Sequence, residues 1–256
     1  MQSEIRCSPS PLWERAQRRK FGYSSIVLVG APMLTLYYSP GASSVIPHIA
    51  LEEIGAPYER KLIDLAKGEH KGDAYLQINP RGKVPTLSID GNVLTENIAI
   101  LTFLAKRFPD ARLLPQNLTE EASCISMMAW FASAVHPTFA HIIRPERFAS
   151  DTAAQLNVRE TARTTFWGHC EEINGVLAGK QWMMGAQYTV SDPYAFFFYD
   201  LGARINLPMR ELSAYTAFSE RMLQRHAVQK VRELEEDSLK GANAWDGPYY
   251  PHLRRG

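Results

Sequence analysis

Residues Met33 to Ile54 confine this chain to a strand, a tight turn and a helix in succession. Leu34 to Tyr38 alternates and is rich in β-favouring residues, the pattern of a half-buried strand. Ser39-Pro40-Gly41 is a turn signal. Ser43 and Ser44 stand where a helix begins, and Pro47 falls in its first turn, where a missing N–H costs little. Ile46, Ala50 and Ile54 share one helical face, and Gly55 stops the helix. Tyr58 to Ile63 reads as a second strand, so the helix is the crossover of a βαβ unit. Two serine hydroxyls therefore sit at the positive end of a helix dipole just past a strand. Such a place stabilises an anion, although a simple capping serine gives the same pattern.

Asp73 to Ile78 reads as a short helix that ends at Asn79-Pro80. Asp90-Gly91 between Thr86–Ile89 and Asn92–Leu94 signals a hairpin, with Pro85 at its start, where a strand tolerates proline and where a cis bond is possible. Thr95-Glu96-Asn97 opens a helix that runs to Arg107. The first part is thus βαβ-α-ββ-α over residues 33–114. After the proline-marked stretch Pro109 to Gln116, residues 118–240 read as all helix. One helix spans Glu120 to about Ile143 with a kink at Pro137, and another Asp151 to Ala178. Thr189-Val190-Ser191-Asp192 forms a capping-box variant, with Thr189 accepting from the amide of Asp192 and Asp192 reaching back to the Thr189 N–H. An apolar helix over Tyr194–Ala203 follows, then helices over Ser213–Arg225 and Ala227–Glu236. Residues 241–256 form an aperiodic tail.

Composition narrows the function classes. The 256 residues carry 28 basic and 27 acidic side chains, which gives no sign of a nucleic-acid partner. Cys7, Cys124 and Cys170 have neither disulfide nor metal-ligand spacing, which fits a reducing cytoplasm and no metal. No apolar run is long enough to cross a membrane. Residues 1–32 are polar, with Arg15, Arg18, Arg19 and Lys20 clustered, and match nothing in the fold. They read as a disordered extension or as the product of a start placed ahead of Met33. A transit peptide is the alternative, weakened by Glu4 and Glu14.

Four motifs in order carry a family resemblance: Tyr37-Tyr38-Ser39-Pro40-Gly41-Ala42-Ser43-Ser44, Asn79-Pro80-Arg81-Gly82-Lys83-Val84-Pro85, Leu94-Thr95-Glu96-Asn97-Ile98-Ala99-Ile100 and Thr189-Val190-Ser191-Asp192. From Met33 to about Asp237 the chain resembles a bacterial cytosolic glutathione transferase of the beta type or a relative. The resemblance implies a thioredoxin-like domain followed by an all-α domain, commonly paired as a homodimer in the cytoplasm. It implies glutathione as co-substrate, no permanently bound cofactor, and conjugation of the glutathione thiolate to a small, largely apolar electrophile. A reductase, dehalogenase or isomerase on the same scaffold is one alternative, and a non-catalytic binding or structural member is another.

The resemblance also implies roles. Glu96 and Asn97 hold the γ-glutamyl end. Val84, beside Pro85, offers backbone groups to the cysteinyl unit, and Lys83, or else Arg81, meets the glycyl carboxylate. Ser43 stands where the beta type has cysteine, which leaves a serine-assisted thiolate route. Ser44 is favoured as the cap and Ser43 as the donor, with Tyr38 as an alternative. His136, before Pro137, resembles a histidine that faces the sulfur. Trp130, Phe131 and Phe139 are expected to wall the second-substrate pocket, and His48 is expected to be structural.

Overall fold

A computed structural model describes residues 33–241. The expectations for residues 1–32 and for the tail past Gly241 lie outside the described residues. β1 (Leu34–Tyr38), α1 (Val45–Ile54) and β2 (Tyr58–Leu62) form the βαβ unit, with β1 and β2 parallel. A short helix α2 (Asp73–Leu76) leads to β3 (Thr86–Ile89), β4 (Asn92–Thr95) and α3 (Asn97–Arg107). The sheet order is β2-β1-β3-β4, with β3 antiparallel to both neighbours. Asp90 and Gly91 both have positive φ, the geometry that lets a two-residue turn follow the twist of its strands.

Successive strand residues face opposite sides of a sheet. The Tyr37 ring accordingly lies 5.9 Å from Tyr75 of α2, whereas the Tyr38 ring lies 5.4 Å from His48 of α1. Ile46, Ile49, Ala50 and Leu51 bury α1 against Leu34, Leu36 and Leu87 of the sheet, and α3 packs beside α1 with Ile100, Leu101 and Leu104.

The rest of the described chain is helical: α4 (Leu118–Trp130), a π turn (Phe131–Val135), α5 (His136–Ile143), α6 (Thr152–Leu177), α7 (Ser191–Arg204), α8 (Ser213–Leu223) and α9 (His226–Gly241). Asn117 caps α4 by accepting from the amides of Thr119 and Glu120, so this helix starts two residues earlier than the sequence suggested. The break expected at Pro137 falls just ahead of it. The His136 N–H reaches back five residues to the Phe131 carbonyl, and the wider π turn absorbs the disruption next to a residue that cannot donate.

α7 is apolar on nearly every side and forms the axis of the helical half. It touches α4, α6, α8 and also α1. A Cβ at Gly202 would stand 2.4 Å from the Met209 sulfur, so any larger residue there would force the Met209 side chain to move. α9 extends five residues past the expected end and packs on α1. α1 is therefore covered by the sheet on one side and by α7 and α9 on another, so the turn that begins it lies where both halves meet.

Candidate functional site

The turn between β1 and α1 is closed by its own side chains. The Ser44 hydroxyl accepts from the Ser39 N–H at 3.0 Å and donates to the Ser39 carbonyl at 2.9 Å, and it is fully buried. Ser44 holds the N-cap position, but its hydroxyl makes no capping bond. That corrects the expected side-chain cap: the hydroxyl ties the turn across its base instead. Ser43 is 9 % exposed, and its hydroxyl makes no hydrogen bond to any described residue. Of the two serines, only Ser43 has a hydroxyl left for another partner.

Gly41, with φ of 67°, sits at the top of this turn. Its N–H donates to Glu235 Oε2 of α9 at 2.8 Å, and its carbonyl accepts from Arg204 Nη1 of α7 at 2.8 Å. Sequence reasoning missed both residues. Arg204 ends an apolar helix, and Glu235 is one of four acidic residues between Glu233 and Asp237, so neither stands out by pattern.

The loop before β3 is tied together by its own hydrogen bonds. Asn79 is 2 % exposed; its amide donates to the Lys83 carbonyl at 2.8 Å and to Thr86 Oγ1 at 3.0 Å, and the Tyr75 hydroxyl donates to the same carbonyl at 2.7 Å. Gly82 has φ of 56°, and a Cβ there would lie 2.5 Å from the His70 carbonyl. Lys83 is left with its side chain exposed, Val84 is half-buried, and the Val84–Pro85 bond is cis.

Glu96 joins β4 to α3 with φ of 71° and ψ of 127°, an unusual backbone for a side-chain-bearing residue and one that clusters at ligand sites. Its exposed carboxylate pairs with Arg81 Nη1 at 2.8 Å. Asn97 is buried near the Tyr194 hydroxyl of α7, and its Oδ1 has no partner among the described residues.

His136 packs edge-on against Phe197 and Phe198 of α7. Burial, with Lys83 adding to it and Glu96 opposing, lowers its pKa to about 4, so it is neutral near pH 7.

Other expected residues lie elsewhere. The Tyr38 hydroxyl is 2.5 Å from Ser238 Oγ of α9, and Arg60 stands over its ring at 5.7 Å. Tyr38 faces α1 and α9, and its hydroxyl is already partnered. Phe131 is fully buried among Tyr194 and Phe198, and Phe139 packs on Phe166 at 4 % exposure. Both are core rings, not pocket walls, because the apolar stripe of this segment turns toward α6 and α7. Trp130 is half-buried beside Phe131 and His169. His48 is fully buried, and burial lowers its pKa to about 3. Among the described residues no group of His, Cys, Asp and Glu could hold a metal ion, and no helix is long and apolar enough to cross a membrane.

The family model described as the glutathione S-transferase N-terminal domain matches residues 32–106. The glutathione S-transferase GstA of Escherichia coli O157:H7 is 32 % identical over 205 residues, which is 79 % of this chain and 98 % of that protein. The structure of a glutathione transferase homologue from Sulfitobacter, with bound glutathione, superposes with a TM-score of 0.76 at 30 % identity, covering 79 % of this chain and 98 % of that one. The beta class glutathione S-transferase of Sphingomonas chungbukensis does so with a TM-score of 0.70 at 34 % identity, over 78 % and 98 % of the two chains. With the sheet, the helical half and the loops described above, similarity along nearly the full length of such relatives shows that this chain belongs to the glutathione S-transferase family.

Proposed function

We propose that this transferase conjugates the thiolate of glutathione to small, largely apolar electrophiles, with Ser43 donating a hydrogen bond to the sulfur. The observation that carries this reading is the contrast within the turn: the Ser44 hydroxyl is spent on both backbone groups of Ser39, whereas that of Ser43 is not. A thiol pKa of about 8.5 falls when a helix N-terminus and a donor face the sulfur, and each unit of lowering corresponds to about 1.4 kcal/mol.

Glutathione would lie along the adjoining loops. Its ammonium would take the Glu96 carboxylate and the unpartnered Asn97 Oδ1. Its γ-glutamyl carboxylate would meet the amides at the start of α3. Its cysteinyl unit would pair with Val84 beside Pro85, and its glycyl carboxylate would meet Lys83. Neutral His136 would bound the sulfur from the helical half. The thiol proton leaves to solvent, the sulfur–carbon bond forms on the electrophile, and a leaving group such as halide departs with its electron pair. Orientation and electrostatic stabilisation supply the catalysis. Trp130 is the remaining candidate from the expected pocket wall. We assign residues 33–114 to the glutathione-binding domain and 118–240 to the helical one, and we place the enzyme as a cytoplasmic homodimer.

The test is a titration of bound glutathione in wild-type, Ser43→Ala and Ser44→Ala proteins. Ser43→Ala should raise the thiol pKa and slow conjugation at neutral pH, with recovery at higher pH. A raised pKa in Ser44→Ala alone would overturn the assignment.

A further inference from the structure

We infer that Glu235 and Arg204 are positioning residues for the turn that carries Ser43: they grip the two backbone groups of Gly41 and thereby set the aim of the Ser43 hydroxyl. The inference rests on the reading of Ser43 as the donor to sulfur.

The hydrogen bonds of the turn lead to this role. Ser39 is served on both backbone groups by Ser44, and the Ala42 N–H donates to the Ser39 carbonyl at 3.1 Å. Gly41 is left over. Its two backbone groups are met by side chains 194 and 163 residues away, on helices of the other half of the fold. Two hydrogen bonds on opposite sides of one Cα fix its left-handed backbone, and the next residues in the chain are Ala42 and Ser43.

The gripping side chains are themselves set firmly. Glu235 is 3 % exposed and Arg204 is 8 % exposed. Arg204 also pairs with Asp200 one turn back. Glu235 faces His48 Nδ1 of α1 at 3.4 Å, together with Arg204 and Asp200 of α7 and Arg60 of β2. Buried ionic groups are poor sources of stability, since apolar residues of the same volume often serve as well or better. Their placement on the backbone of this turn gives them a role that apolar residues lack.

The protonation state of Glu235 suggests the discriminating substitution. Burial pushes its pKa up to about 8. A neutral carboxyl is therefore already populated near pH 7, and its carbonyl oxygen accepts the Gly41 N–H as the ionised form does. Glutamine keeps that reach without the charge. Aspartate keeps the charge and is one methylene too short.

The experiment compares full-length wild-type, Glu235→Gln, Glu235→Asp and Ser43→Ala proteins. It reads the pKa of bound glutathione from thiolate absorbance, and kcat and KM with an activated aryl halide. Glu235→Asp should lower kcat at neutral pH by roughly tenfold, because small misplacements of a catalytic group are expensive. Its KM for glutathione should stay within about twofold, and its thiol pKa should rise, with kcat recovering at higher pH. Glu235→Gln should restore most of the loss, to within about threefold of wild type, as expected if reach and not charge matters. The positioning role is overturned if Glu235→Asp keeps the wild-type pKa and kcat, or if Glu235→Gln loses as much as Glu235→Asp. If Ser43→Ala raises the pKa and Glu235→Asp does not, the positioning role falls and the donor reading stands. If Glu235→Asp raises it and Ser43→Ala does not, the donor reading falls and the grip on the turn stands, acting through the turn's own amides.

Discussion

Arg81 Nη1 and Glu96 Oε1 meet at 2.8 Å, joining the loop before β3 to the first turn of α3 with both side chains about two-thirds exposed. An ion pair this open to water contributes less than about 1 kcal/mol to stability. In the proposed complex the same carboxylate holds the substrate ammonium, so Arg81 competes with the ligand. Arg81→Ala should leave the melting temperature nearly unchanged and tighten glutathione binding by a few-fold, measured by calorimetry at low salt. A tenfold loss of affinity would mean instead that Arg81 itself touches glutathione.

Ser44 and Ser43 should separate in stability as clearly as in chemistry. Ser44→Ala leaves the Ser39 N–H without its buried acceptor, while the Ser39 carbonyl keeps the Ala42 N–H, and a buried polar group left unsatisfied costs about 1–3 kcal/mol. Ser43→Ala removes a hydroxyl with no described partner and should stay within about 0.5 kcal/mol of wild type. Denaturant unfolding of the two variants measures the difference. Equal losses would contradict the local geometry of the turn.

The sequence made this turn visible, but not the division of labour inside it. The Asp90-Gly91 turn and the Gly55 stop are local signals that the structure reproduces, whereas Leu34–Tyr38 forms the expected strand but is buried on both faces, not half-buried as its alternation suggested. The two serines are adjacent and chemically identical, and only the direction of each Cβ, set by three-dimensional packing, distinguishes them. Phe131 and Phe139 were misjudged for a related reason. Periodicity places a ring on the buried stripe of a helix, yet it does not tell whether that stripe meets another helix or a ligand cleft. Arg204 and Glu235 were illegible because their partner is a backbone group more than 160 residues away. A long-range contact to main chain leaves no spacing and no complementary side chain to find.

The Thr189–Asp192 box holds more than a helix start. The reach-back half is present, with Asp192 Oδ2 accepting the Thr189 N–H at 2.6 Å, but the Thr189 hydroxyl turns to Ser191 and Asp192, and the Asp192 N–H goes to the Thr189 carbonyl. Asp192 Oδ1 also accepts the Met183 N–H at 2.8 Å, tying the preceding loop to α7. Asp192→Ala leaves two buried amides without acceptors and should cost roughly 2–5 kcal/mol. That loss would appear as poor soluble yield or a melting temperature many degrees lower, with Asp192→Asn recovering part of it. A variant as stable as wild type would show that these amides find other partners.

The last prediction is the pH dependence of stability, where the buried groups pull in opposite directions. Burial raises Glu235 from 4.5 to about 8 and Asp192 from 3.8 to about 7. For a carboxyl whose folded pKa is raised, folding favours the protonated form. Its contribution is complete below the unfolded pKa and is lost as the pH climbs through the folded one. The contribution of these two carboxyls should therefore fall between about pH 5 and pH 8. His48 and His136 act on the other side. Burial lowers their pKa values to about 3 and about 4, so they stay neutral in the fold while the unfolded chain takes up protons below about pH 6.5, and stability falls again toward acid. Glu235→Gln isolates one term, because an amide does not titrate. The variant should lose less stability than wild type between pH 5 and pH 8, by on the order of 4 kcal/mol at most, and its acid limb should be unchanged. Urea unfolding at a series of pH values measures this. Parallel curves for the two proteins across that range would mean that Glu235 keeps an ordinary carboxylate pKa and is held ionised by Arg204, with Arg60 assisting.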